Sequence, residues 1–233
     1  MRAVREALEL VRGGVSSRRF TYQGELHKVY GYTPQFGGDR PPLVYAAANQ
    51  PQMLHAAVPA ADGVMYSDMT RDRIATTITQ TVQALADKGR SRDGYRISNI
   101  WAWHVKPERE AALREARREL LLRGLLEDSY LRTFLPADDC ALVQQQKASF
   151  FDAYRSRSGV IEGVPARIVD ACLANLTFTG TPGEIEPRIG ELRAFAAAGV
   201  DELCLRLHDD PADAIRLIGE RVIPLLEAAT MQP

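Results

Sequence analysis

Apolar residues follow two different spacings along this chain. Val4, Ala7, Leu8 and Val11 recur at helical intervals over residues 2–12 and Gly13-Gly14 follows, so the chain is expected to begin on an amphipathic helix. Two alternating runs come next, Arg18 to Tyr22 and Leu26 to Tyr30, placed around Gln23-Gly24-Glu25; they predict a surface hairpin. A Pro/Gly-rich stretch, Thr33 to Pro42, leads away from it. From Leu43 the alternation gives way to short continuous apolar runs, each followed by a helical segment, as expected of strands buried on both faces of a parallel sheet. Four such strands are read, at Leu43 to Ala47, Gly63 to Tyr66, Ile97 to Val105 and Glu202 to Leu207.

Helical patterns fill the intervals. They run from Pro51 to Ala61, from Arg71 to Asp87, and from Pro182 to Ala198, and a closing helix with Pro224 near its end covers Ala212 to Ala229. Between the third and fourth strands, Pro107 to Leu176 reads as a helical excursion without a strand. It opens on a charged helix through Leu122, in which Glu110 and Arg114 are spaced for an i,i+4 pair.

Repeated βα units suit either an open doubly wound sheet or a closed barrel. No GxGxxG follows any of the strands, which argues against a dinucleotide-binding sheet. A complete barrel needs eight strands and typically about 250 residues. This chain, with 233 residues, has nearly the length but half the strands, because the hairpin and the excursion occupy the rest. The expectation is an α/β, TIM-barrel-like (β/α) fold that is partial: the last four βα units, with a hairpin insertion and a helical excursion. Residues 1–233 are read as one N-terminally incomplete domain, with 107–176 as a lid or packing flap inside it.

Charge narrows the partners. With 29 Lys and Arg against 30 Asp and Glu, net charge -1, there is no basic excess for nucleic acid or an anionic membrane. Lysine is confined to Lys28, Lys88, Lys106 and Lys147, so the positive charge is almost all arginine. Cys140, Cys172 and Cys204 lie far apart without CxxC or Cys/His spacing, which indicates neither a disulfide framework nor a zinc site and makes a cytoplasmic location the expectation. Glu6 and Glu9 interrupt the N-terminal apolar residues, against a secretory signal, and no stretch approaches the roughly 18 apolar residues of a membrane span.

Six segments carry a family resemblance: Arg5-Glu6-Ala7-Leu8-Glu9-Leu10-Val11-Arg12-Gly13, Thr21-Tyr22-Gln23-Gly24-Glu25, Arg40-Pro41-Pro42-Leu43-Val44-Tyr45-Ala46-Ala47, Ala60-Ala61-Asp62-Gly63-Val64, Thr179-Gly180-Thr181-Pro182, and Ala198-Gly199-Val200-Asp201-Glu202-Leu203. In that order they resemble the bacterial-luciferase-like oxidoreductases, in particular the branch that uses the deazaflavin coenzyme F420 and includes methylenetetrahydromethanopterin reductase. The resemblance implies an eight-stranded (β/α) barrel with insertions, matched here from about its fourth helix onward. It also implies hydride transfer between coenzyme F420, or alternatively FMN, and a small organic substrate.

The resemblance further implies that the loop after the first parallel strand, Ala47, Ala48, Asn49, Gln50 and Pro51, contacts the cofactor phosphate through backbone N–H groups and the following helix start, a setting that favours an anion. Gln50 stands where the family has glycine and bars the closest backbone approach. Small residues there equally suit tight strand-to-helix packing. Thr179, Gly180 and Thr181 form a second candidate cofactor segment, although Thr181 before Pro182, with Glu184 following, also makes an N-cap, the reading preferred here. No catalytic residue is assigned, because the family positions fall largely in the unmatched half.

Other candidates read as structural. His104, with Ala102 on one face of a strand whose other face holds Trp101 and Trp103, has no carboxylate nearby in sequence and reads as a core histidine rather than an acid or base. His208-Asp209-Asp210 has the composition of a divalent metal site, but an aspartate before Pro211 is more simply an N-cap, and no metal is expected. The Arg-rich helix from Arg109 to Arg123 interleaves glutamates and reads as a solvated face. Arg206 faces either outward or into the barrel.

The sequence thus describes a luciferase-like oxidoreductase or monooxygenase chain, the C-terminal half of a barrel, acting on a small-molecule substrate. Two alternatives stay open. One is a shortened, non-catalytic paralogue that serves as a binding or assembly subunit, covering its sheet edges by homodimerisation or by pairing with an N-terminal half. The other is a truncated reading of the gene for a full enzyme.

Overall fold

A computed structural model of the chain describes residues 1–16, 18–35 and 40–230. Helix α1 (Arg2–Gly14) leads into a two-stranded antiparallel hairpin of β1 (Phe20–Gln23) and β2 (Lys28–Tyr32). Then come β3 (Tyr45–Ala47), α2 (Pro51–Ala57), β4 (Gly63–Ser67), α3 (Arg71–Ala86) and the long β5 (Arg96–Val105). A helical series follows, α4 (Arg109–Glu119), α5 (Asp128–Leu131), α6 (Ala137–Gln145), α7 (Lys147–Ser156) and α8 (Ala166–Leu176). The chain closes with β6 (Thr177–Gly180), α9 (Ile185–Ala197), β7 (Glu202–Arg206), α10 (Pro211–Leu217) and α11 (Ile223–Thr230). A π-helical turn, Ile218–Val222, joins the last two helices just before Pro224, whose ring and missing N–H cannot be fitted into a regular α-helical turn.

The larger sheet runs β3-β4-β5-β6, with β7 also paired to β5. Pairing is parallel between β3 and β4, from Tyr45↔Gly63 to Ala47↔Met65, and between β5 and β6, from Ala102↔Thr177 to Val105↔Gly180. The expected α/β order is therefore present, with one strand more than the four read from the sequence. β6 reads Thr-Phe-Thr-Gly and begins at the residue after α8 ends, so no turn signal separates helix from strand. Helices fill the interval from 107 to 176, as the apolar pattern indicated.

The chain forms two compact units, residues 1–66 with 75–98, and residues 67–74 with 99–233. In the first, α1 packs on α2 and β1. Its expected apolar face is only partly used: Val4 and Leu8 are half-buried, Ala7 and Val11 are exposed, and the buried side chain is Glu6. The Glu6 carboxylate accepts the backbone N–H of Glu25, Leu26 and His27 at 3.0, 3.0 and 2.9 Å. Burial opposes its ionisation, but these three donors hold its pKa below the ordinary carboxylate value. Residues 25–27 are thereby kept out of the ladder, which is why the second hairpin strand begins at Lys28 rather than at Leu26. Part of the Thr33 to Pro42 stretch, residues 36–39, lies outside the described residues.

In the second unit both faces of β5 are covered. Trp101 meets Phe195 at a ring-centroid distance of 5.1 Å, and Trp103 stacks on Phe178 at 4.9 Å with the planes 7° apart. The Arg188 guanidinium lies 4.5 Å from the centre of the Phe178 ring. Helices α4 to α8 enclose their own apolar core, in which Leu120, Leu126, Leu131, Phe150, Ile168 and Leu176 are fully buried.

Candidate active site

In parallel α/β sheets chemistry gathers at the carboxyl ends of the strands. In the second unit those ends carry Asp68 just after β4, His104 at the penultimate position of β5, and His208 two residues beyond β7. All three are drawn into one buried polar network by helix α4. Its buried face places Glu115 and Glu119 one turn apart among Ala112 and Ala116, whose small side chains allow close approach.

Glu115 accepts from His104 Nδ1 at 2.9 Å, from Lys106 Nζ at 2.9 Å and from the backbone N–H of Asp209 at 3.1 Å. Burial works against its ionisation, but His104 and Lys106 hold its pKa below the ordinary value. Glu119 accepts from Arg118 Nε at 2.7 Å and stands 3.6 Å from His208 Nδ1. The imidazoles of His104 and His208 stack, with centroids 4.8 Å apart and planes 14° apart. Burial pushes both pKa values down, that of His208 to about 3, so both rings are neutral at pH 7.

Asp68 sits in the left-handed region, φ 55°. Its N–H bonds Ile100 O at 3.0 Å, and its carboxylate accepts from Arg123 Nη1 at 2.8 Å. Arg123 is fully buried, which lowers its pKa, while Asp68 supports its charge. Nε and Nη2 of Arg123 and Nε2 of both histidines have no hydrogen-bond partner among the described residues. Chemically this is a pair of stacked imidazoles, of which His104 is turned by the Glu115 carboxylate at Nδ1 and His208 stands near Glu119, each with an enclosed Nε2, in the same unit as a buried guanidinium.

The sequence-predicted residues occupy two separate segments. Ala47, the last residue of β3, is exposed; Ala48 is buried and donates its N–H to Met65 O at 3.2 Å; Asn49 is half-buried. Gln50, exposed, takes the N-cap position of α2 with φ -106° and ψ 146°, an ordinary extended conformation that does not call for glycine, and Pro51 opens the helix. Thr179 and Gly180 end β6 in the other unit, and Thr181 follows as the cap of the next turn. The hydroxyls of Thr177 and Thr179 bond at 2.7 Å, Thr179 O accepts from Arg188 Nη1 at 2.6 Å, and Gly180 O accepts from Lys106 N at 3.1 Å. Thr181 gives both its N–H and its hydroxyl to Glu184 Oε2, at 2.8 and 3.0 Å. Thr179 lines a cleft of about 710 Å³ whose Arg71, Arg109 and Arg188 are paired with Glu191 or Glu184 at 2.7 Å.

Several sequence readings are corrected. The helix after Pro107 is not a solvated face: Glu115, Arg118 and Glu119 are all buried. Glu110 pairs with Arg117, at 3.1 Å, in place of Arg114. His104 does have a carboxylate partner, eleven residues on. Neither aspartate caps α10 with its side chain: Asp209 binds Arg118 and Arg157, each at 2.7 Å, and Asp210 adopts φ 59°. No group of three or more His, Cys, Asp or Glu among the described residues is arranged to hold a metal ion. Asp68, Glu115, Glu119 and Arg123 had not been singled out as site residues. A signal for the glutamates was present, since Ala112, Glu115, Ala116 and Glu119 share one helical face with Leu120.

No helix among the described residues is long and apolar enough to cross a membrane. The chain is 26% identical over 231 residues to a 5,10-methylenetetrahydromethanopterin reductase from Archaeoglobus fulgidus, covering 97% of this chain and 67% of the relative. Its fold is similar to that of a coenzyme F420-dependent tetrahydromethanopterin reductase from Methanopyrus kandleri, with a TM-score of 0.72 at 16% identity, over 96% of this chain and 62% of that one. An F420-dependent secondary alcohol dehydrogenase matches with a TM-score of 0.62 at 18% identity, over 95% of this chain and 60% of that one. The chain thus spans about three fifths of the length of these solved structures. The family model for luciferase-like monooxygenases matches residues 1–202, the greater part of the chain, from α1 through β6 to the first residue of β7. On that match, the chain belongs to the luciferase-like monooxygenase family.

Proposed function

We propose that this chain takes part in an F420-dependent oxidoreductase reaction on a small organic substrate, with FMN as the alternative cofactor. The observation that carries this reading is the similarity along nearly the whole chain to the methylenetetrahydromethanopterin reductase, supported by two F420-dependent enzymes among the structural neighbours. When bound, such a cofactor supplies the hydride chemistry at its ring carbon.

The residues present fit the group unequally. In the β3–α2 segment Pro51 has no N–H, and the N–H groups of Gln52 and Met53 belong to the first turn, where helix geometry provides no partner. Those two, with the slim Ala47 and Ala48 beside them, would hold a phosphate oxygen. The polar groups of Thr179 to Thr181 are already engaged by Arg188, Lys106 and Glu184, so that segment serves better to fix the end of β6. His104, neutral and turned by Glu115, would hold or release a proton at Nε2, and Trp103 with Phe178 keeps water from the strand beside it.

Titration of the purified chain with F420 and with FMN, followed by absorbance and fluorescence, tests this reading. Saturable binding of either supports it; no binding of either by the folded chain overturns it.

A further inference from the structure

Charge is nearly balanced over this chain, at a net -1, so a cleft walled by one sign of charge stands apart from the rest of its surface. Such a cleft, of about 390 Å³, lies in the first unit, where α1 packs on α2. Arg2, Arg5, His55, Ala56, Pro59 and Lys88 are among its walls, and among the described residues no aspartate or glutamate lines it. Arg2 and Arg5, three residues apart, share a face of α1. His55 stands in the last turn of α2, and Lys88 lies two residues beyond the end of α3. Ala56 and Pro59, half-buried, supply apolar wall between the cations.

The positive charge there is little compensated. Arg2 reaches Glu25 and Arg5 comes within 4.0 Å of Glu9, but both glutamates stand outside the cleft, and all four side chains are more than two fifths exposed. Pairs so exposed are weak and exchange partners readily. Lys88 has no ion-pair partner among the described residues. A cation at the end of a helix complements the partial negative charge of the last carbonyls. That accounts for His55 and Lys88, at the ends of α2 and α3, but not for Arg2 and Arg5, which come from a third helix.

We propose that this cleft binds the diphosphate group of a small molecule, either inorganic diphosphate or a nucleoside diphosphate. Arg2, Arg5 and Lys88 together match the roughly three negative charges of a diphosphate at neutral pH; the guanidinium forks take paired phosphate oxygens and the ammonium acts as a point charge. A single carboxylate would answer one of the three cations. The volume lies at the small end of ligand pockets, which suits a compact anion, and the chain's net charge of -1 disfavours nucleic acid. None of Ala47 to Pro51 lines the cleft, so it is separate from the segment expected to hold a cofactor phosphate.

The test is histidine NMR on the full chain with ¹³C-labelled imidazoles, titrated at fixed neutral pH and low salt with sodium diphosphate, with ADP and with inorganic phosphate. Of the chain's 4 histidines His55 lines the cleft, and His27, His104 and His208 act as internal references. A saturable shift confined to His55 is expected with diphosphate, half complete at about 1 mM. Raising the salt to about 0.2 M should weaken it several-fold, since the cations are exposed. Arg5→Gln and Lys88→Gln, both at exposed positions, should each weaken binding about threefold and together about tenfold, with the melting transition kept. Lys147→Gln, outside the cleft, should leave binding unchanged. Affinity for ADP equal to or below that for diphosphate assigns the diphosphate alone, and tighter binding of ADP adds the nucleoside. Inorganic phosphate is expected to bind about tenfold more weakly than diphosphate, having about half its charge. Phosphate binding as tight as diphosphate, no saturable shift of His55 with diphosphate or ADP up to about 20 mM, equal shifts in all four histidines, or a response indifferent to Arg5 and Lys88 would overturn the proposal. His55 and Lys88 would then serve only as complements of two helix ends. Because F420 binding is read by absorbance, failure there and failure here are distinguishable.

Discussion

Replacing Glu115 by glutamine removes the charge, and one acceptor oxygen, from a buried carboxylate that takes donors from His104, Lys106 and the Asp209 backbone. The remaining amide oxygen can serve Lys106 and Asp209, or His104, but not all three. In the first case the new NH₂ group confronts the His104 Nδ1–H, and the ring must move its proton to Nε2 or lose the bond. A hydrogen bond to a charged group contributes about 1.5–3 kcal/mol, and breaking a buried pair costs about 3–5 kcal/mol. Keeping part of the network puts the expected loss at about 3 kcal/mol. For a chain of 233 residues that corresponds to a melting temperature roughly 6–12 °C lower. Trp101 and Trp103, the chain's 2 tryptophans, both lie on β5 within this unit, so tryptophan fluorescence during urea or thermal unfolding reads the right transition. Glu115 has a depressed pKa, so its contribution is complete above its ordinary 4.5 and is lost as pH falls through the lower folded value. The gap between wild type and Glu115→Gln should therefore be full at pH 7 and close below pH 4.5. A loss under about 1 kcal/mol at pH 7 would refute the assignment of Glu115 as the network's shared acceptor.

Gly24→Ala should detach the hairpin turn, because a Cβ there would overlap the Glu6 carboxylate; amide exchange at Glu25, Leu26 and His27 is expected to quicken about tenfold or more, and unchanged protection would count against the Glu6 cap. Phe178→Ala removes the ring stacked on Trp103 and under Arg188, an expected loss of about 3–5 kcal/mol with an altered Trp103 emission, both measurable in one urea titration. Thr181→Ala should cost about 1 kcal/mol by releasing the hydroxyl bond to Glu184, measured by thermal unfolding. Glu184 itself, held by Arg109 and the Thr181 N–H at a pKa of about 2, should keep the remainder of that cap intact well into acid.

The fold was legible wherever burial has a period. Strands such as Ile97 to Val105 announce themselves because both faces are covered, and the helices of the excursion because their apolar stripes are regular. β6 escaped because it follows α8 without a turn. The candidate site was harder to read for a different reason. His104, Glu115, Arg123 and His208 come together only through tertiary packing, and a glutamate on a buried helical face looks, in sequence, like a glutamate on a solvated one. What distinguishes Glu115 and Glu119 is their alignment with Ala112, Ala116 and Leu120, a pattern visible in the sequence but outweighed by the surrounding arginines.

The stacked imidazoles make opening of the second unit a proton-consuming event. A histidine in an unfolded chain titrates near 6.5, whereas burial holds His208 down to about 3 and lowers His104 as well. In mildly acidic solution the unfolded chain therefore takes up at His208 a proton that the folded unit does not accept, and His104 acts in the same direction. The His208 proton alone imposes about 1.4 kcal/mol for every pH unit below pH 6.5. Acid between pH 6.5 and 4.5 is thus a denaturant of the unit that holds the histidine pair, in a range where the Glu6 carboxylate that holds the hairpin turn keeps its charge.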